Sequence, residues 1–225
     1  MVPVETLQRV LVGAAVLVIF RVTLGVLIGY RNYLPPDFNS DFLLGRELYF
    51  YDGYRWAFYA HLVAGPTSLL VGTLLISERF RRRAPHWHRK LGKFQIACVL
   101  LVVAPSGLWM ARYAVSGVVA GAGLGLLAIA TATFAALGWR AAIARRFDDH
   151  RRWMWRTYLL LCSAVVIRLM GGLATVLHFD ALWLYPLSAW ASWLIPLLVF
   201  ESWRQLGPLA VNQINSRQLV HRRQL

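Results

Sequence analysis

Six stretches of about twenty apolar residues dominate the chain, near 7–29, 56–77, 92–112, 116–139, 157–178 and 184–203. Each is long enough to cross a hydrocarbon core of about 30 Å as a helix. Lipid offers no water to unpaired backbone groups, so every span must satisfy its own N–H and C=O groups within itself. The expected fold is all-α: an integral membrane bundle of six transmembrane helices. Hydrophobic residues make up 58% and charged residues 15%, against about a quarter charged in a soluble domain. A soluble globule is excluded, and 30 Trp, Tyr and Phe residues exclude disorder.

Lysine and arginine set the expected orientation. Of 24 basic residues, 18 fall on one side: Arg9, the loop after span two, the loop after span four, and the tail. Four fall on the other side (Arg31, Arg46, Arg55, Arg112), and Arg21 and Arg168 lie within spans. Both termini are therefore expected in the cytoplasm. Residues 1–203 read as one six-helix transmembrane domain and 204–225 as a basic cytoplasmic tail. The net charge of +14 calls for anionic headgroups rather than nucleic acid, since no nucleic-acid module accompanies it. The first span carries Arg21 at its middle and no small-x-small cleavage site, so it reads as a retained helix rather than a signal peptide.

The loop 30–55 holds Asp37, Asp41, Glu47 and Asp52 among many aromatics. It reads as a cap over one end of the bundle, with a short interfacial helix near 40–50. A lid over a site is the sharper alternative. Tyr49–Tyr54 and Trp56 suit an interfacial belt. Gly117, Gly121 and Gly125 recur every four residues, and Gly25 and Gly29 repeat the spacing, which suits close helix packing or a homo-oligomer face.

Charges inside the hydrocarbon demand a partner or a function. Counting about 1.5 Å per residue, Arg21 and His61 differ in depth by only about 3 Å, and Arg168 lies a little deeper. No Asp or Glu shares that depth. An arginine fork there suits haem propionates, a quinone headgroup, a lipid phosphate or an acid substrate. Helix–helix hydrogen bonding is the bland alternative. Histidines fall in two layers: His88 and His150 on the basic side, His61 and His178 on the other. Two such layers match the way transmembrane b-type cytochromes hold haem by axial His. Headgroup contact is the alternative for the interfacial ones. Cys98 and Cys162 read as packing residues. No zinc pattern, Walker loop, nucleotide glycine fingerprint or nucleophile elbow is present, so the only metal expected is haem iron.

Two motifs carry a resemblance. The first is His88-Arg89-Lys90-Leu91-Gly92-Lys93, opening span three. The second is Asp149-His150-Arg151-Arg152-Trp153-Met154-Trp155-Arg156, opening span five and followed by Arg168. With Ala60-His61 and Gly65, they resemble domain of unknown function family 2306, predicted bacterial multi-pass membrane proteins. The resemblance covers about residues 57–175 and implies a bacterial inner-membrane protein with no established activity. More loosely, the histidine placement is similar to haem b and ferric reductase-like membrane domains. Their ligands sit well inside helices, while His88, His150 and His178 sit at helix ends.

Two readings follow. One is a redox membrane protein, with haem b or quinone held by His61, His88, His150, His178, Arg21 and Arg168. The other is a non-enzymatic transporter, anionic-lipid binder or membrane-complex subunit, with Arg89, Arg151, Arg152 and Arg156 meeting lipid headgroups or other anions.

Overall fold

The computed structural model describes residues 4–40 and 42–222. Its elements are α1 (Val4–Gly29), α2 (Glu47–Tyr49), α3 (Arg55–Ile76), α4 (Glu78–Arg83), α5 (Pro85–Cys98), α6 (Ala104–Ala111), α7 (Gly117–Ile143), α8 (Phe147–Leu161), α9 (Ser163–Val176) and α10 (Leu184–Arg222). Six helical stretches among the described residues are long and apolar enough to span a membrane: Arg9–Asn32, Glu47–Ile76, Pro85–Ala111, Gly117–Ile143, Phe147–Val176 and Leu184–Gln205. No strand occurs among the described residues. The chain is an all-α, multi-pass membrane protein. The end bearing α4 and the α7–α8 turn is called the basic end below, and the end bearing the 30–55 loop the cap end.

Three of the spans are interrupted. A π-turn at Val99–Val103 precedes Pro105 and joins α5 to α6. Pro105 has no N–H to give, so the ladder widens just before it. Cys162 separates α8 from α9. A second π-turn, Phe50–Tyr54, joins α2 to α3, with Gly53 at φ +101°. Pro66 is carried inside α3 without a break.

Packing explains the small residues of α7. A Cβ on Gly121 would lie 2.8 Å from the Ala111 carbonyl oxygen, and one on Gly138 2.8 Å from Met154 Sδ. The α7 glycines therefore admit α6 and α8 at close range. Gly117 instead takes φ +78° at the helix start. Helix α1 differs: a Cβ on Gly25 or Gly29 would meet nothing within 4 Å among the described residues. Ile19 and Val22 rest against the core and Thr23 is buried, while the rest of α1 is largely exposed.

The central core joins Ala64, Leu69, Ile96, Val99, Val103, Ala135, Tyr158 and Leu161. The 30–55 loop packs as a cap through Leu43, Phe50, Tyr54 and Phe58. The ring of Tyr49 stacks on that of Tyr113 at 4.6 Å. Arg46 is buried at 5% exposure. Its Nη1 donates to the Phe42 carbonyl at 2.6 Å and its Nε to the Tyr54 hydroxyl at 3.2 Å. Of the expected aromatic belt, Tyr54 is thus core, while Tyr51 and Trp56 are exposed. The interfacial helix near 40–50 is the single turn α2, with Asp41 outside the described residues. The backbone of α10 continues through the expected tail to Arg222, while the side chains of Arg217, Arg222 and Arg223 lie outside the described residues.

Candidate functional site: two histidine layers

His61 is set on the cap-end half of α3, facing α6. Its Nδ1 lies 3.0 Å from Ser106 Oγ. Ser106 directs its own hydroxyl hydrogen to the Val102 carbonyl at 2.5 Å. The hydroxyl therefore accepts from His61, which places the ring hydrogen on Nδ1 and the lone pair on Nε2. The π-turn before Ala104 sets the rotation of α6 that brings Ser106 and Gly107 to this ring. Gly107 leaves room for it: a Cβ there would sit 3.2 Å from His61 Cε1. On the other side, Gly65 would place a Cβ 3.8 Å from Nε2.

Arg168, on α9, is close enough to His61, Tyr30, Tyr33 and Tyr185 to interact with each electrostatically. Its Nη1 donates to the Ala164 carbonyl at 2.8 Å, and the side chain remains exposed. Tyr30, just past α1, donates its hydroxyl to the Leu62 carbonyl at 2.6 Å, next to His61. Arg168 on α9 is thus within electrostatic range of His61 on α3, of Tyr30 and Tyr33 past α1, and of Tyr185 on α10. Ser106, Tyr30 and Tyr185 were not singled out as site residues from the sequence.

At the basic end, His150 donates Nδ1–H to the Gly138 carbonyl at 2.8 Å, leaving Nε2 with the lone pair. Holding one ring N–H on a carbonyl is the usual preparation of a metal-ligating imidazole. His88 is within electrostatic reach of His150 and Arg81. Its Nδ1 is buried with no hydrogen-bond partner among the described residues. This pair offers imidazole nitrogens that could hold a haem iron. The cap-end pair is arranged differently. His178 is exposed in the turn after α9 at φ +50°, and no hydrogen bond or ring contact joins it to His61 among the described residues.

The remaining sequence-selected residues separate. Arg21 is exposed on α1. Arg89, Arg151 and Arg152 are exposed at the basic end, where Arg152 lies 3.9 Å from Asp149. Arg156 is engaged: Nε and Nη2 donate to Glu201 at 2.6 and 3.0 Å. Arg204 meets the same carboxylate at 3.4 Å. No group of three or more His, Cys, Asp or Glu suited to a metal ion occurs among the described residues.

The family model described as predicted membrane protein (DUF2306) matches residues 58–204. The chain belongs to this family. No curated protein and no solved structure matches it. The DUF2306 segment runs from α3 into α10 and so contains all four membrane-layer histidines and Arg168. Arg21 and Tyr30 precede it. Within the DUF2306 segment, His150 and Arg156 of the second motif meet Gly138 and Glu201 at one end, while His61 and Arg168 lie within electrostatic range of each other nearer the other end.

Proposed function

We propose that this DUF2306 protein is a membrane redox protein that binds a quinone-type headgroup beside His61 and Arg168. The observation that carries the reading is the arrangement of His61 and Arg168: a lone pair held on Nε2 by Ser106, and a guanidinium within electrostatic range. A quinol hydroxyl donates to Nε2, while the guanidinium donates to a ring oxygen and favours negative charge on it. Tyr30 and Tyr185 lie within electrostatic range of the same guanidinium. In this role His61 exchanges a proton with the ligand at Nε2. His88 and His150 at the basic end would hold a haem b, which would supply one-electron transfer. The basic end faces the cytoplasm of a bacterial inner membrane, in keeping with the distribution of arginine and lysine. Organic extraction of the detergent-purified protein, with chromatography for quinones, tests the reading. Stoichiometric quinone in the wild type and about tenfold less in Arg168→Gln support it; equal amounts in both contradict it.

A second reading rests on the exposure of Arg89, Arg151 and Arg152 beside exposed Trp87 and Phe147. These suit anionic headgroups, at about 1 kcal/mol per basic residue near the surface. Arg156 contributes little to it, because Glu201 already holds its fork. Flotation with vesicles containing phosphatidylglycerol checks this for Arg151→Gln/Arg152→Gln: unchanged lipid preference contradicts it.

A further inference from the structure

The first span is the least covered of the six. An 18-residue stretch of Arg9–Asn32 is 6% buried, against 17–39% in the other five spans. Helix α1 rests on α3 and α9 through one side, where Ile19 and Val22 meet the core and Thr23 is buried. At 3.6 residues per turn, the opposite side carries Val10, Ala14, Leu17, Arg21, Leu24 and Ile28. These six alternate by four and three residues, the spacing with which one helix presents a continuous seam to another. All six are exposed.

Lipid tails satisfy five of them. They do not satisfy Arg21. It lies about 18 Å along the axis from Arg9 and about 16.5 Å from Asn32, close to the midplane of a core about 30 Å thick. From that depth one side chain cannot carry its charged head to either interface. Arg21 makes no hydrogen bond or ion pair among the described residues. A charge so placed calls for a partner. A second copy of this chain does not supply one. All 10 acidic residues lie outside the spans or within five residues of a span end. Parallel copies meeting on this seam would also set Arg21 against Arg21.

We propose that this face of α1 docks a membrane-spanning helix of another protein, one that carries an aspartate or glutamate at mid-span. The carboxylate takes both prongs of the Arg21 fork, so each charge satisfies the other in hydrocarbon. Gly25 follows one turn on, and a Cβ there would meet nothing within 4 Å among the described residues. A partner backbone can therefore come close beside the ion pair. One polar position in an otherwise apolar seam fixes register and selects the partner, as it does in coiled coils. The seam faces away from α3 and α9, so docking leaves the His61 and Arg168 site uncovered and does not depend on its ligand.

Two experiments test it. In the first, the full chain in lipid bilayers is mixed with labelled leucine-rich single-span helices, one with Asp at its centre and one with Leu there. Association is read by energy transfer. Wild type is expected to bind the Asp helix about tenfold more tightly than the Leu helix, and Arg21→Leu is expected to abolish the difference. Equal binding of both helices to wild type, or a preference that survives in Arg21→Leu, overturns the proposal. In the second, a photoreactive residue replaces Leu24 in the full chain in its native membrane, with Arg21 intact. Crosslinking to a span that bears Asp or Glu at mid-depth supports the proposal. Crosslinks to lipid alone, to a second copy, or to a span without an acidic residue overturn it. Neither experiment involves quinone, so failure here is separate from failure of the binding reading.

Discussion

The carbonyl of Gly138 takes the Nδ1 hydrogen of His150 at 2.8 Å, joining α7 to α8 one turn from the basic end. The same glycine leaves room for Met154, whose Sδ would lie 2.8 Å from a Cβ at this position. A side chain at Gly138 therefore pushes α8 away and lengthens the His150 bond together. Gly138→Val is expected to destabilise the protein by about 1–3 kcal/mol, as overpacking of a tight contact does. Gly171→Ala serves as the control, since a Cβ there meets nothing within 4 Å among the described residues. Thermal denaturation in detergent checks the pair; equal melting temperatures would refute the packing account.

Arg156 and Arg152 sit one turn apart and should behave differently. Arg156 makes a two-pronged bond to Glu201 with both partners largely shielded. Arg152 is exposed, with its nearest carboxylate oxygen at 3.9 Å. Arg156→Gln is expected to lose about 1.5–3 kcal/mol of stability, the range for hydrogen bonds to charged groups. Arg152→Gln should change stability by under about 0.5 kcal/mol. Paired melting curves decide, and equal losses would show that the Glu201 contact contributes little.

Glu78 offers a pH readout outside the spans. Arg82 donates to its Oε1 at 2.7 Å and holds the carboxyl below the ordinary glutamate value. A depressed folded value means the tie is complete above the unfolded pKa and fades as pH falls through the lower folded one. Carbon-detected NMR of Glu78 should therefore titrate below a free glutamate, and Arg82→Gln should move the midpoint upward. A wild-type midpoint at the free-glutamate value would disprove the tie.

Arg46 tests the cap. Its fork reaches the Phe42 carbonyl and the Tyr54 hydroxyl and lies over the Phe42 ring at 4.5 Å. Lysine offers a point charge in place of that planar fork. Arg46→Lys is expected to raise protease nicking within 30–55 severalfold at unchanged helix content. Unaltered nicking would show that the aromatic packing alone holds the cap.

The spans were legible because lipid forces each to be a long, largely apolar helical stretch. That His88 and His150 fall within electrostatic reach at one end was legible too, since they open spans three and five on the same side. The cap-end pairing of His61 with His178 was not met. The chain leaves α9 through a left-handed turn at His178 and carries that side chain to the surface. Depth put Arg21 beside His61, but depth does not give facing. Around Arg21, helix α1 is apolar on several sides, and the contacts of Ile19, Val22 and Thr23 reveal which side is inward. The Arg156–Glu201 pair spans 45 residues and leaves no local spacing to read. Tyr30 joined the site for a similar reason, since its partner carbonyl belongs to Leu62 on another span.

The most direct measurement is equilibrium binding of a short-chain quinone to the protein in nanodiscs, followed by tryptophan quenching. Wild type should bind saturably, and His61→Ala and Arg168→Gln should each weaken binding about tenfold or more, the size of one charge-assisted hydrogen bond. Binding that is absent in the wild type, or equal in all three proteins, would contradict a quinone site at His61 and Arg168.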